Sequence, residues 1–351
     1  MPQRLDNPEF VLKNDPKGMM GYVMGFPDQC RKALSISESA SLPSTLSGCK
    51  QVIVAGVGGS AAGGDFLRAL FDASAGVPCI VARDYKLPAF ANSETLVMAC
   101  SYSGNTEETL SAIEDARKRG CRIMAITSGG KLGESTDFPI VKIPGGQPPR
   151  SALGFLFVPL ASAAVKLGYL SALDFDRAFA ELDKCAKEWS VETAYGTNPT
   201  KTLAAYLFGR VPLIYGLGHW QGIVASRWKS QLNENSKIMA FANTFPELNH
   251  NEIMGWQLAD KQNVAHWATV ILENGQESKR MQARAKVTRE IMHGKSESFT
   301  VTARGETLLS NLLTLTYFGD FVSIYLAALY GVDPETIEAI NILKKALADL
   351  H

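Results

Sequence analysis

The sequence lacks the features that would place it early in a nucleic-acid, membrane or metal class. It has no block of like charge, and its 35 basic and 35 acidic side chains cancel, which argues against a nucleic-acid surface or a polybasic membrane patch. The six cysteines, at 30, 49, 79, 100, 121 and 185, form no CxxC pair and no metal-ligand spacing. Cys79, Cys100 and Cys121 lie in or beside apolar runs, so the set reads as buried or free thiols in a reducing cytoplasm. The opening residues, Met1-Pro-Gln-Arg-Leu-Asp-Asn-Pro8, have no apolar signal-peptide core, and no export is expected. A small or neutral-surface partner is left, with no nucleic acid and no membrane.

One run needs weighing as a membrane span. Thr307 to Tyr330 is strongly apolar and longer than the roughly 20 helical residues that cross a bilayer. Asn311 and Asp320 sit inside it, so a long buried helix, at a subunit interface or in a core, is the better account.

At 351 residues the chain is too long for one ordinary core and suggests two domains of roughly 150 to 200 residues. Residues 1–45 read as an N-terminal arm to which the sequence assigns no chemistry. From Lys50 short β-rich runs alternate with amphipathic stretches: 51–55 then 60–73, 79–82, 95–100 then 107–119, 122–127 and 140–143. Such alternation predicts a parallel sheet flanked by helices, with ligands at the carboxyl ends of its strands. A Gly/Pro loop, Gly145-Gly-Gln-Pro-Pro149, ends this block. Helical segments follow at 152–167, 175–189 and 200–208, and a second alternating block begins at Val211. The expected organisation is a first subdomain at 46–150, and a helical connection with a second subdomain at 151–351. Gly56-Val-Gly-Gly59 and Gly216-Leu-Gly-His219 occupy the same place in the two blocks, which reads as a duplication.

The first block alone has a hydroxyl-rich turn, Ser101-Tyr-Ser-Gly-Asn-Thr106, between an apolar strand and a helical segment. Free N–H groups and the positive end of a helix dipole point out of such a turn, and Ser101, Ser103 and Thr106 add donors around one small volume. The plain alternative is a Ser/Gly/Asn turn with Thr106 as a helix N-cap. Gly56-x-Gly-Gly-Ser60 and Asp84 invite a dinucleotide reading, but the spacing is not a clean fingerprint. A monophosphate held between Ser60 and the Ser101 turn uses both turns.

Four charged or titratable residues stand out elsewhere. Glu234 closes a helix before a strand; its plain reading is a solvated glutamate paired with Lys237. His250 lies in the polar loop Phe245-Pro-Glu-Leu-Asn-His-Asn-Glu252, where a structural hydrogen-bonding role competes with catalysis. Ile337, Ile340, Leu343, Leu347 and Leu350 form the apolar stripe of the last helix, with Lys344 on the same side, either snorkelling or reaching a ligand cavity. Arg150 ends the Gly/Pro loop, as a solvated side chain or as a cation that stabilises developing negative charge.

Taken together, Gly56-Val-Gly-Gly-Ser60, the Ser101–Thr106 turn, Gly146-Gln-Pro-Pro-Arg150, Asn233-Glu-Asn-Ser236, Pro246-Glu-Leu-Asn-His-Asn-Glu252 and a C-terminal lysine resemble the bifunctional phosphoglucose/phosphomannose isomerases of the sugar isomerase (SIS) superfamily. The resemblance runs from about residue 45 to the end. It implies two flavodoxin-like SIS subdomains in a homodimer, with no metal, nucleotide or other cofactor. It further implies that Gly59, Ser60, Ser101, Ser103 and Thr106 hold the phosphate of a hexose substrate. Glu234 would move a proton between C2 and C1, and Arg150 would stabilise a cis-enediolate. His250, from the neighbouring subunit, and Lys344 would open the sugar ring. A noncatalytic SIS sensor of phosphosugars is the competing class; it would keep the turn but has no need of Arg150, Glu234, His250 and Lys344 together. A nicotinamide oxidoreductase leaves the Ser101 turn unexplained.

Overall fold

The computed structural model describes residues 2–262, 264 and 266–348. Its elements begin with α1 (Pro8–Leu12), α2 (Met19–Met24) and α3 (Phe26–Ser39). Then come β1 (Gln51–Ala55), α4 (Gly58–Ser74), β2 (Cys79–Ala82), β3 (Thr95–Cys100), α5 (Glu107–Lys118), β4 (Arg122–Thr127), α6 (Gly130–Gly133) and β5 (Ile140–Lys142). Three helices, α7 (Leu153–Lys166), α8 (Phe175–Glu188) and α9 (Pro199–Leu207), lead to β6 (Val211–Gly216), α10 (His219–Ser236) and β7 (Phe241–Thr244). The chain closes with β8 (Trp267–Glu273), α11 (Lys279–Met292), β9 (Ser296–Thr302), α12 (Leu308–Tyr330) and α13 (Glu338–Ala348).

Two compact units result. One comprises Gly25–Asp183 with Arg304–Leu313; the other gathers the described residues of 2–24, 184–303 and 314–348. In the first, five parallel strands stand in the order β2-β1-β3-β4-β5. This is the flavodoxin-like order, in which successive strands are added to one side of β1 and then to the other, so that the β1/β3 switch point leaves a crevice at their carboxyl ends. The second repeats it with one strand fewer, β7-β6-β8-β9, all parallel. The expected pair of flavodoxin-like sheets is therefore present. β3 is buried at every position, as a strand covered on both faces must be, which is why its sequence is a continuous apolar run rather than an alternating one.

The N-terminal arm and the helical connection are not separate from these units. α7 is buried from Leu153 through Ala164, so it must be covered on all sides, and it packs against α3 and α4 of the first unit. The helix read as the end of an arm is thus part of the first core.

The apolar run at Thr307–Tyr330 forms α12, and 94% of its most apolar window is buried inside the protein. Two of its positions bond α10 within the second unit. Asp320 Oδ1 accepts from Gln231 Nε2 at 2.6 Å and lies 3.4 Å from Arg227 Nη2, while Trp228 Nε1 donates to the Leu315 carbonyl at 2.8 Å. Gly319 makes room for Trp228, whose Nε1 would lie 2.3 Å from an added Cβ. Burial raises the Asp320 carboxyl above its ordinary value of 3.8, against the lowering effects of Arg227 and Gln231. A carboxyl that is easier to protonate folded than unfolded contributes less to stability as pH rises from its unfolded value through its folded one. Wild type is therefore expected to lose melting temperature relative to Asp320→Asn as pH is raised from about 4, measured by paired thermal scans. Parallel curves would remove Asp320 as the cause.

Candidate active site

At the carboxyl end of the first sheet, two turns flank the β1/β3 switch point. The β1 turn is drawn in tightly: a Cβ on Gly56 would lie 2.6 Å from the Cys100 carbonyl oxygen and 3.2 Å from Ser60 Cβ. Ser60, buried in the first turn of α4, lies beside Cys100, whose thiol burial pushes up to about 12 against a lesser, lowering influence of Ser60. This brings Ser60 to the base of the β3 turn.

The β3 turn is braced rather than loose. Ser101 Oγ lies 2.8 Å from Thr106 Oγ1 and accepts from Gly104 N at 3.1 Å, and Asn105 N donates to Ser103 Oγ at 3.3 Å. Thr106 occupies the N-cap position of α5 but makes no side-chain cap bond there. Its hydroxyl is turned to Ser101, so the plain capping reading does not describe it. The turn rests on the loop after β4: Leu132 N donates to Gly104 O at 3.0 Å, Ser128 Oγ to Tyr102 O at 2.6 Å, and Lys131 N to Asn105 Oδ1 at 3.1 Å. Sequence reasoning missed this bracing loop, although Gly129-Gly130 marks it as a place of close backbone approach.

Arg150 lies against the same end. It stands in a short 3₁₀ turn, Pro149–Ser151, whose Pro149 carbonyl oxygen would be 2.8 Å from a Cβ on Gly59. Only 4% of Arg150 is exposed, so the solvated reading fails; a buried guanidinium is held by partners and directed by them. Gly59, Ser60, Ser101, Ser103, Thr106 and Arg150 are thus brought together at one end of one sheet. Asp84, by contrast, is exposed and accepts from the next backbone amide, Tyr85 N, at 2.6 Å.

The remaining candidates belong to the second unit. Glu234 is half-buried in the last turn of α10, which ends with Lys237 in the left-handed region at φ 58°. The Lys237 ammonium donates to the main-chain oxygens of Glu234 and Pro334. Asn235 Nδ2 donates to Ser323 Oγ at 2.9 Å and Ser236 Oγ to the Ser323 carbonyl at 2.7 Å, so this end of α10 is fastened to α12. His250 ends the 3₁₀ turn Glu247–His250 and is exposed, while the loop around it is anchored by Glu252, which accepts from Tyr215 and Asn243. Burial, then Glu252, raises the Tyr215 phenol, keeping it a donor.

Lys344 departs from expectation. The stripe on α13 does not enter a core of its own chain: Ile340 is 38%, Leu343 58% and Leu347 52% exposed, and Lys344 is exposed with them. Periodicity reports that a helix has an apolar face, not what covers it. Leu350 lies outside the described residues.

The second sheet answers the first with a difference. The turn after β8 is the counterpart of the turn after β3, and it holds Glu277, whose Oε1 accepts from Asn274 N at 2.6 Å and Gln221 Nε2 at 3.0 Å. Ser278 then caps α11, accepting from Met281 N. Where the turn after β3 carries hydroxyls, the turn after β8 carries a carboxylate bonded within the chain.

Comparison with known proteins bears on this geometry. Residues 45–145 match the SIS domain family, and residues 196–347 match the bacterial phospho-glucose isomerase C-terminal SIS domain. The chain is 39% identical over 338 residues to a bifunctional phosphoglucose/phosphomannose isomerase of Caldicellulosiruptor bescii, covering 95% of this chain and 99% of the relative. It is 37% identical to a protein of the same description from Thermoplasma acidophilum, over 85% of this chain and 89% of that one. Among solved structures, a hypothetical protein of Thermus thermophilus superposes with a TM-score of 0.74 at 17% identity, covering 99% of this chain and 94% of that one. That last likeness shows the fold.

Proposed function

This chain belongs to the bifunctional phosphoglucose/phosphomannose isomerase family, and from that premise we propose an aldose–ketose isomerase acting on glucose 6-phosphate and mannose 6-phosphate, with fructose 6-phosphate as the common product. The observation that carries the reading is the hydroxyl cradle at the β1/β3 switch point, with a buried arginine against the N-terminus of the adjoining helix.

The chemistry follows from residue types. The phosphate of the open sugar sits at the N-terminus of α5, where backbone amides, the helix dipole and the hydroxyls of Ser60, Ser101, Ser103 and Thr106 favour an anion. It does not react, but its binding energy holds a flexible chain in one geometry. Glu234 removes the C2 proton and returns it to C1, and the reverse direction uses the same carboxylate. Negative charge then develops on the carbonyl oxygen of a cis-enediolate. Arg150, fixed before the reaction, stabilises it without reorganising. Ring opening needs a donor and an acceptor at the ring oxygen and anomeric hydroxyl, tasks given to His250 and Lys344.

The proposed assembly is a homodimer with His250 acting across its interface. Its support is that His250 is exposed in the single chain and that α13 leaves Ile342 71% and Leu343 58% exposed beside Lys344, a surface that a second copy would cover. The six free cysteines fit the reducing cytoplasm as the proposed location.

A coupled assay of the purified protein on glucose 6-phosphate and on mannose 6-phosphate, with no metal or nucleotide added, is expected to show turnover of both. Binding of either sugar phosphate without turnover would convert the protein into a phosphosugar sensor. Light scattering reads the assembly directly, with a monomer overturning the dimer.

A further inference from the structure

The two family matches leave residues 146–195 and the chain before residue 45 outside them. In those gaps the side chains of Gln29 and Gln147 reach the backbone that carries Arg150. Gln29, on α3, is 7% exposed. Its Nε2 donates to the Ser151 carbonyl at 2.9 Å, and its Oε1 accepts from Gly154 N at 2.7 Å. The amide therefore ties the residue after Arg150 to the first turn of α7 and uses both of its ends in doing so. Gln147 Nε2 donates to the same Ser151 oxygen at 2.8 Å, and Ser151 Oγ donates to the Pro148 carbonyl at 2.8 Å.

The fit is close on both sides of the turn. A Cβ on Gly154 would lie 2.8 Å from Gln29 Oε1 and 3.1 Å from Cys30 Sγ, so only glycine lets α3 come this near. On the other side, the Pro149 carbonyl abuts Gly59 at the start of α4. Arg150 thus stands on a turn held from α3 and pressed against the phosphate-side helix. A buried amide making two main-chain bonds does more than fill space, since each group it satisfies would otherwise be stranded.

We propose that Gln29 is a positioning residue for Arg150, fixing the turn from which the guanidinium meets the developing negative charge, and that it influences turnover only through Arg150. This rests on the reading of Arg150 as the enediolate stabiliser. Gln29 itself makes no contact with substrate, and its loss leaves the hydroxyls of the Ser101 turn in place.

The test is a double-mutant cycle on glucose 6-phosphate, with kcat and KM measured for Gln29→Met, Arg150→Ala and the pair, and with a melting curve for each. A misplacement of about 1 Å at a reacting centre costs up to about 10²-fold, so Gln29→Met is expected to lower kcat by about tenfold to about 100-fold with KM within about threefold of the parent. In the Arg150→Ala background the same substitution is expected to change kcat by less than about twofold, because residues acting as one unit are not additive. Gln29→Glu keeps the shape and the Gly154 bond but loses the donor to Ser151, and serves where the methionine variant does not fold. It too is expected to act only when Arg150 is present. Equal losses in both backgrounds, or parental kcat in a folded Gln29 variant beside an impaired Arg150→Ala, would overturn the proposal while leaving the role of Arg150 intact. Parental kcat in Arg150→Ala would instead overturn the reading of Arg150 itself, and the proposal with it.

Discussion

A Glu234→Gln variant is expected to lose about 10² to 10⁴ in kcat for isomerisation while still binding the sugar phosphate, because a positioned general base typically contributes that much. The loss corresponds to about 3 to 5 kcal/mol of transition-state stabilisation. Glutamine matches glutamate in size but cannot act as the proposed base. Asn235 and Ser236, immediately after Glu234, both bond Ser323 on α12, and Gln231 one turn earlier bonds Asp320. The backbone on either side of 234 is therefore fastened to α12 by its neighbours. Coupled-assay kinetics beside calorimetric titration with fructose 6-phosphate separate the two effects. Parental turnover would leave an isomerase whose base is another group, and loss of binding together with turnover would make Glu234 a structural residue.

Gly104→Ala is expected to cost roughly 2 to 4 kcal/mol of stability in the first unit and to raise KM by about tenfold or more, as the Ser101 turn, which on the proposed function holds the phosphate, is pushed off its brace. Gly104 sits at φ 72°, where an L side chain is strained. The strain is the smaller part. A Cβ there would lie 1.7 Å from the Gly129 carbonyl oxygen, 2.7 Å from its carbon and 2.8 Å from Thr127 Oγ1, and backbone cannot yield as a side-chain tip can. Moving the loop breaks the bonds from Leu132 N to Gly104 O and from Gly104 N to Ser101 Oγ, which set the Ser101 hydroxyl. Gly146→Ala is the control. Its φ of 94° imposes similar strain, but nothing lies within 4 Å of the added methyl. Melting curves and KM for the two variants isolate the clash; equal behaviour would mean that the brace does not hold the turn.

How far the sequence could be read depended on whether a feature declares itself locally. Strands β1, β3 and β4 are apolar because they are buried on both faces, and a run of Val, Ile, Met and Ala states that directly. The Gly56 and Ser101 turns were legible for a related reason, since only small residues fit where backbone approaches backbone. Gln29 was not legible. Its partner Ser151 is 122 residues away, and a glutamine on an amphipathic helix carries no mark of burial. Arg150 was visible as a candidate, but its burial was not, because a loop with two prolines and two glycines reads as solvated. The stripe on α13 was real while its exposure was invisible, for periodicity describes one helix and exposure depends on what packs against it. Glu277 went unread because its role emerges only when the two sheets are compared strand for strand.

That carboxylate also bears on how the two halves have come to differ. Glu277 belongs to its own turn, so the Asn274 amide and the Gln221 side chain there are satisfied from within the chain. The first presents hydroxyls and amides, which on the proposed function receive the substrate phosphate. On the proposed function, two open mouths would spread one metabolite over two sites, only one of them beside Arg150. Glu277 then makes the second mouth a piece of scaffold and leaves capture to the first.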